Sequence, residues 1–474
     1  MHYIRLLRPV SVETTNRRED VLSVLLTITT DLGDSFFGPD EPLALGVTLE
    51  TTTGSGGGRR RRAPSLLACP ADDKSPLQWR AGMRALKARL RLREPLPDAK
   101  TTVCIFARSS RRSKTPSTRP YWRHGYDDDD EQHTELIVPV SVDMVNRTCA
   151  PVSLRTLPLS STRDDEGGDD ASDNNTLAFG EDIGESIARH IWDAGLVTAS
   201  FLSESCRSAA VMADILPVRQ HCNRLNILEL GCGVGILGTT VAGIIWDAAA
   251  AQGTFLVEAN VLLTDVEEAE ERARTNIARA EEVLLEGHSR RNRLSGSGEE
   301  DDDDDEESEE KPRTTQLQYE NLDWEDGRQG AFGRLAAARA WDFVVLSDCT
   351  YNIDSLPALV GTLSALRRHS SSSSRSKVAA ARDVGAAETG TETGMRVILA
   401  TKPRHASEEA LFGLLAEQGW SHRVVKRIPL PRVNAEDEVV EIYVVERGGQ
   451  EGVRHTGLQR ASQSSSLDAA PRRT

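Results

Sequence analysis

The glycine-rich stretch at residues 226–238, Asn-Ile-Leu-Glu-Leu-Gly-Cys-Gly-Val-Gly-Ile-Leu-Gly, constrains the fold more than any other part of the chain. A short apolar run breaks into closely spaced glycines and then resumes with the spacing of a helix. Glycine lets the backbone pass close to a ligand because it has no Cβ and tolerates positive φ. The first amides of the following helix point at the same place. The stretch therefore predicts a strand, a ligand-binding turn and a helix.

This turn fits more than one class of cofactor. Residues 233–238 also satisfy the G-x-G-x-x-G pattern of dinucleotide sites, which keeps a nicotinamide or flavin cofactor open. Asp265 ends a second apolar run, where its carboxylate would accept hydrogen bonds from ribose hydroxyls beside the turn. Every adenosine-bearing cofactor has such a ribose, so Asp265 does not distinguish one class of cofactor from another. The alternatives are a turn that binds nothing and, for Asp265, a helix cap.

From residue 225 the sequence alternates regularly between apolar runs and helical periods. This rhythm predicts a mainly parallel α/β sheet whose last two strands form an antiparallel hairpin. The strands are predicted at 225–230, 259–265, 315–319, 341–348, 395–401, 422–428 and 439–445. Helices are predicted at 183–202, 236–246, 267–285 and 407–418.

The remainder of the chain divides around this region. Residues 1–160 are predicted to form a β-rich module with low-complexity inserts, followed by an acidic linker at 161–176, the α/β domain at 177–447 and a disordered tail at 448–474. Several further inserts are too polar to order themselves, at 54–62, 108–130, 286–313 and 370–394. The β module either extends or covers the sheet, or it recognises a substrate.

Composition narrows the classes of partner and compartment. The chain carries 57 basic and 73 acidic residues, and eleven of the twelve residues from 299 to 310 are acidic. This balance does not favour a nucleic-acid surface. The seven cysteines show no metal spacing and no CxxC pair, which favours a reduced, intracellular chain, and no run reaches the length of a membrane span. We expect a monomer in the cytoplasm or nucleus, without a metal.

Several pieces together narrow the interpretation to one family. Trp192-Asp-Ala, Glu229-Leu-Gly-Cys-Gly-Val-Gly, Asp265, Leu322-Asp-Trp and Asp348-x-x-Tyr resemble the methyltransferase-like (family 16) group of S-adenosylmethionine-dependent enzymes. That group includes the non-histone protein-lysine N-methyltransferases. The resemblance covers residues 177–447 and implies a seven-strand Rossmann-like sheet. The glycine turn is typical of the whole superfamily, whereas Trp192 and the Asp348-x-x-Tyr351 motif together make the resemblance specific to the family 16 group.

The resemblance also implies a role for each site residue. S-adenosylmethionine would be held by Trp192, Glu229, Gly231, Cys232, Gly233, Gly235, Asp265, Trp324 and Ser347. Asp348 would orient the acceptor amine and Tyr351 would form one wall of a narrow channel.

The implied substrate is a lysine side chain of a protein, and no nucleic acid or membrane is expected. Two alternatives remain. One is a small-molecule (nicotinamide-like) N-methyltransferase, and the other is a non-catalytic cofactor-binding interaction protein.

Overall fold

The computed structural model describes most of the chain outside its polar inserts. The described residues are 1–15, 19–53, 60–61, 65–66, 69–70, 77–92, 95–97, 99–108, 137–159, 176–184, 187–206, 215, 224–251, 258–295, 314–382, 394–430 and 438–447.

The N-terminal part consists of β-strands, as the alternating apolar pattern predicts. In chain order they are β1 His2–Leu6, β2 Ser11–Thr14, β3 Asp20–Thr29, β4 Leu43–Thr53, β5 Arg60–Arg61, β6 Ser65–Leu66, β7 Cys69–Pro70, β8 Gln78–Trp79, β9 Leu86–Arg91, β10 Thr101–Ala107, β11 Ile137–Val138, β12 Val140–Val145, β13 Thr148–Cys149, β14 Val152–Pro158 and β15 Thr176–Asp182.

These strands form two sheets that face each other, which we call the β-sandwich. One sheet has the order β11-β1-β3-β9-β7, with β2 beside β3. The other has the order β15-β14-β12-β10-β4-β5, with β13 beside β12 and β6 and β8 beside β4. Apolar side chains from both sheets, such as Leu22 and Val103, fill the space between them. Burial of this shared face stabilises the module.

The boundary of the β-sandwich differs from the one predicted. β15 pairs with β14 along its whole length, from Thr176 opposite Pro158 to Asp182 opposite Val152. The predicted domain start at residue 177 therefore falls inside a strand of the sandwich. Thr176, the last residue of the acidic linker predicted at 161–176, begins β15, whereas the rest of that linker and the tail at 448–474 lie outside the described residues.

The C-terminal part alternates strands and helices. Its elements are a 3-10 turn Ile187–Arg189, α1 Asp193–Ser205, β16 Arg224–Leu230, α2 Ile236–Ala251, β17 Glu258–Asp265, α3 Glu267–Ser295, β18 Thr314–Asn321, α4 Trp324–Arg328, α5 Arg334–Ala337, β19 Phe343–Ser347, a 3-10 turn Ile353–Ser355, α6 Leu356–Arg382, β20 Arg396–Thr401, a 3-10 turn Ala406–Glu409, α7 Ala410–Glu417, β21 Trp420–Pro429 and β22 Val439–Arg447.

The seven strands form one sheet in the order β18-β17-β16-β19-β20-β22-β21. The first five run parallel, and β22 runs antiparallel to both β20 and β21. This confirms the predicted parallel sheet closed by a hairpin. The chain builds outward from β16 to β18 and then returns to β19 on the other side of β16. The carboxyl ends of β16 and β19 therefore flank the point where strand order reverses, which is where open α/β sheets bind ligands.

Helices cover both faces of this sheet. On one face, α1 and α2 share a continuous apolar core with the β-sandwich, in which Tyr3 and Phe179 join Leu196 and Leu237. The other face is covered mainly by α6 and α7. The sandwich therefore packs on the helical layer and does not extend the seven-strand sheet. None of the described helices combines the length and apolar character needed to cross a membrane.

Three local predictions were wrong. The helix predicted at 183–202 begins at Asp193, and Trp192 precedes it in extended backbone. Residues 370–382, predicted as part of a disordered insert, continue α6, and residues 286–295 continue α3. Trp324, which lies outside every helix predicted from the sequence, begins α4, whose N-cap Asp323 accepts a hydrogen bond from the amide of Glu325. The spacing of apolar residues does not reveal a short helix or the polar end of a long helix.

Candidate active site

A cleft of about 300 Å³ opens at the carboxyl ends of the central strands. Its volume lies at the lower end of the range for small-molecule sites. All but two of the predicted site residues line it. Those residues are Trp192, Gly231, Cys232, Gly233, Asp265, Trp324, Ser347, Asp348 and Tyr351.

The glycine turn forms the floor of this cleft. Gly231 and Gly233 have φ angles of 64° and 53°, which are costly for other residues. A Cβ built on Gly231 would lie 2.6 Å from the Cys349 sulfur and 3.1 Å from the Trp324 ring. The backbone therefore approaches its neighbours as closely as only glycine permits.

Asp265 lies beside the turn at the end of β17. One carboxylate oxygen accepts the amide of Gly233 at 2.7 Å, and the other accepts the amide of Val266 at 2.7 Å. Burial raises the pKa of Asp265 above its ordinary value, and these two amides oppose that rise. The carboxylate is thus fixed in place while still facing the cleft, and each oxygen has a further acceptor position for a ligand hydroxyl.

Glu229 and Gly235 are the two predicted contacts that do not line the cleft. Glu229 is buried and accepts the amide of Gly238 in α2 at 3.0 Å. Burial raises the pKa of Glu229 well above its ordinary value. A Cβ on Gly235 would meet Leu263 at 2.7 Å, which lies on the neighbouring strand. Both residues therefore shape the turn from behind.

Two indoles form parts of the wall. Trp192 precedes α1, and the guanidinium carbon of Arg404 lies 5.4 Å from the centre of its ring, within cation–π distance. Trp324 projects from the start of α4 over Gly231. Flat apolar surfaces of this kind suit a purine.

Asp348 follows β19 and occupies a strained backbone position. Its φ angle is 52°, which a non-glycine residue rarely adopts. One carboxylate oxygen accepts the amide of Ala194 at 2.7 Å, and the other accepts Nη1 of Arg404 at 2.9 Å. Burial raises the pKa of Asp348, and Arg404 opposes that rise. The side chain is therefore held by α1 and Arg404 at the cleft wall.

Tyr351 stands at the outer edge of the same cleft. It is 56% exposed, and Val266 beside the cleft is also exposed. The cleft therefore opens to solvent at this edge. Two buried thiols, Cys232 and Cys349, line its inner part, and burial raises the pKa of both well above the ordinary value. Neither thiol is activated as a nucleophile.

The sequence analysis missed four charged residues around Asp348. Lys402 and Arg404 follow β20, Asp193 begins α1, and Asp31 belongs to the β-sandwich. Two basic residues directly after the fifth strand of a parallel sheet were the available signal, because that end of the sheet holds the site. No local pattern marks Asp31, since it reaches the site only through the packing of the sandwich.

Comparison with known protein families gives a match in the C-terminal part of the chain. The profile of the family described as lysine methyltransferase matches residues 171–297 and 306–383. This part of the chain is therefore similar to that family, and the matched residues make up less than half of the chain. The match confirms the resemblance to the family 16 methyltransferases that the sequence motifs indicate. The matched region contains Trp192, the glycine turn, Asp265, Trp324 and Asp348.

A UPF0665 family protein of Schizosaccharomyces pombe is 28% identical over 213 residues, 44% of this chain. The match spans 48% of that curated relative, about half of its length. The Pyrococcus horikoshii protein PH0793 is similar with a TM-score of 0.30 and 10% identity, over 64% of this chain and 75% of that one. P. horikoshii TYW2 in complex with MeSAdo is similar with a TM-score of 0.27 and 11% identity, over 59% of this chain and 71% of that one.

The cleft of the C-terminal domain fits S-adenosylmethionine. The glycine backbone leaves room that a Cβ would fill, Asp265 offers acceptors for ribose hydroxyls, and two indoles supply apolar walls. Trp192, Gly231, Gly233, Asp265 and Trp324 are the residues that would hold it. The bound cofactor supplies an electrophilic methyl group.

Proposed function

We propose that this protein is an S-adenosylmethionine-dependent methyltransferase and that it transfers the methyl group to the side-chain amine of a lysine in a protein substrate. The observation that carries the proposal is the family match, together with Asp348 and Tyr351 lying on the same cleft as the cofactor residues. The proposal includes a protein partner, a monomeric enzyme and a cytoplasmic or nuclear location. After β19 the chain reads Asp348-Cys-Thr-Tyr351 and lacks the Asp/Asn-Pro-Pro-aromatic sequence of enzymes that methylate base amines or glutamine.

The acceptor nitrogen must be neutral to act as a nucleophile. A lysine has an ordinary pKa near 10.4, so its deprotonation at pH 7 costs about 4–5 kcal/mol. The buried inner cleft disfavours the charged amine because it replaces water with apolar walls. The residues of this site therefore assist by desolvating and orienting the amine.

Asp348 is the residue that we assign to orient the amine. Oδ2 accepts the amide of Ala194, Oδ1 accepts Arg404 and, at 3.4 Å, the amide of Lys402, and a carboxylate has about four acceptor positions. Acceptor capacity therefore remains for an amine N–H. Because its backbone and both oxygens are fixed, Asp348 would hold the amine in line without a large entropy cost. Tyr351 forms the outer wall, at an edge open enough to admit a side chain from another protein.

Transfer of an isotope-labelled methyl group to a cell lysate tests this proposal. We expect a discrete labelled protein whose modified residue, identified by mass spectrometry, is a lysine. A labelled low-mass product would replace the proposal with a small-molecule methyltransferase. No transfer despite cofactor binding would leave a cofactor-binding interaction protein. The variant Asp265→Ala serves as the control without a cofactor site.

A further inference from the structure

A buried cluster of charges joins the β-sandwich to the methyltransferase site. We call it the junction cluster, and it consists of Asp31, Asp193, Asp348, Lys402 and Arg404. Four of these residues are at most 6% exposed, and the Arg404 side chain is 10% exposed. Asp31 comes from the turn after β3 in the sandwich, whereas the other four belong to the methyltransferase domain. Buried charges persist only when they are paired, so the contacts within this cluster are strongly constrained.

Asp31 contacts both cations of the junction cluster. Arg404 donates from Nη2 to Asp31 at 2.7 Å and from Nη1 to Asp348 at 2.9 Å, so one guanidinium bridges the two carboxylates. Lys402 donates to Asp31 at 3.1 Å and to Asp193 at 2.7 Å. Although burial opposes it, Asp348 and Asp31 hold the pKa of Arg404 above its ordinary value. Both cations therefore remain charged and bound.

The same two carboxylates bind the amino end of α1. Trp192 occupies the N-cap position, and an indole cannot accept hydrogen bonds from helix amides. Instead, Asp31 accepts the amide of Asp193 at 3.3 Å and Asp348 accepts the amide of Ala194 at 2.7 Å. Acidic groups at this end also interact favourably with the helix dipole. The start of α1, and with it Trp192 in the cleft wall, is thus held jointly by the sandwich and the loop after β19.

We propose that Asp31 is a positioning residue of the methyltransferase site, so that the β-sandwich completes the active site and does not merely cover the helices. This inference rests on the proposed function, because it assigns Asp31 to the placement of Asp348. Asp31 does not line the cleft. It acts through Arg404. Without the carboxylate of Asp31, Arg404 would still bind Asp348 through Nη1, but its Nη2 would lose its carboxylate partner. A bidentate guanidinium fixes both distance and angle, which a single contact does not.

The test compares Asp31→Asn with a matched buried aspartate elsewhere in the sandwich. Asp20 is also buried, bonds Arg147 at 2.5 Å and accepts the amide of Leu96 at 2.9 Å, all within the sandwich. Asp20→Asn therefore controls for the loss of a buried charge. We expect Asp31→Asn to lower kcat about 10- to 100-fold, the effect of a small misplacement at a reacting centre. The KM for S-adenosylmethionine should change less than kcat, because Asp31 reaches the cofactor wall only through Trp192 at the start of α1, and Asp20→Asn should leave both constants near wild type.

Arg404→Lys provides a second variant if Asp31→Asn does not fold. It keeps the positive charge but has a single nitrogen in place of the two that reach Asp31 and Asp348 separately, and we expect the same loss of kcat. A double-mutant cycle between Asp31→Asn and Asp348→Asn then separates positioning from stability. If Asp31 acts through Asp348, kcat of the double variant should be no lower than kcat of the less active single variant. Multiplied losses, or equal kcat in Asp31→Asn and Asp20→Asn, would overturn the inference.

The failure of the proposed function would be visible separately. It would appear as a wild-type chain that transfers no label to protein. Hydrogen exchange at the start of α1, measured by mass spectrometry without substrate, would then decide the inference. We expect Asp31→Asn to increase exchange in residues 193–196, and Asp20→Asn not to do so. Unchanged exchange in Asp31→Asn would show that Asp31 does not hold this helix.

Discussion

The contact between Gly231 and Cys349 offers the sharpest test of how the glycine turn is built. Replacing Gly231 with alanine has two separable costs. The φ angle of 64° costs an L-residue about 1–2 kcal/mol. The new Cβ would also lie 2.6 Å from the Cys349 sulfur, and overpacking of this kind costs about 1–3 kcal/mol. Gly231→Ala should therefore lower the free energy of unfolding by about 2–5 kcal/mol.

Two further variants separate these costs. Gly330 has a φ angle of 81° and nothing within 4 Å of a built Cβ, so Gly330→Ala should show the backbone cost alone. Cys349→Ala removes the sulfur that the new methyl group meets. Combined with Gly231→Ala, it should be less destabilising than the sum of the two single changes by about 1–3 kcal/mol.

The assay is urea unfolding of the four variants and wild type at equilibrium, with cofactor affinity measured by calorimetry. We expect Gly231→Ala to weaken S-adenosylhomocysteine binding as well, because the methyl group also approaches Trp324 to 3.1 Å. Strict additivity of Gly231→Ala and Cys349→Ala would refute the close approach as the cause. Equal losses of unfolding free energy in Gly231→Ala and Gly330→Ala would show that the positive φ angle alone requires glycine in the turn.

Three other predictions concern the ends of the strands. Asp265→Ala should abolish measurable cofactor binding, whereas Asp348→Asn should retain it and lower turnover; equal affinities in the two variants would contradict this division of roles. Glu229→Gln should gain stability relative to wild type as the pH rises above about 4.5. The folded-state pKa of Glu229 is raised by burial, so the wild type loses stability through that window; parallel stability curves in urea would argue against it. Tyr351→Phe should keep wild-type kinetics, while Tyr351→Ala should raise the KM for the protein substrate several-fold if the ring is a wall; a defect in the phenylalanine variant would point to the hydroxyl.

The sequence predicted the sheet well because local pattern and global fold agree there. The four inner parallel strands β16, β17, β19 and β20 are mainly apolar and buried on both faces, and β16, β17 and β20 lie within two residues of their predicted bounds. The cleft residues followed from the same logic, because strand ends in an open sheet converge. Helix boundaries were predicted less well, since α1 begins at Asp193 where no side chain of its own supplies a cap.

The charges behind the cleft lay beyond what sequence could show. Asp31 and Lys402 are separated by 371 positions, and their 3.1 Å contact depends on the packing of one whole module on another. No periodicity encodes such a pairing. The same limit applies to Glu229, whose place in the glycine motif predicted a ligand contact although its carboxylate turns away to α2.

The junction cluster also bears on whether the β-sandwich and the methyltransferase domain are separable. Without the sandwich, Lys402 and Arg404 would each lose the carboxylate of Asp31, and Asp193 would lose the hydroxyl of Tyr3, which donates to it at 2.6 Å. Removing one partner from a buried ion pair typically costs about 3–5 kcal/mol, because the remaining charge has lost both water and its counter-ion. The exposed apolar surface of α1 and α2 would add to that cost. These losses fall at the start of α1, beside Trp192 and Asp348, so the energetics that join the two modules also maintain the wall of the cleft.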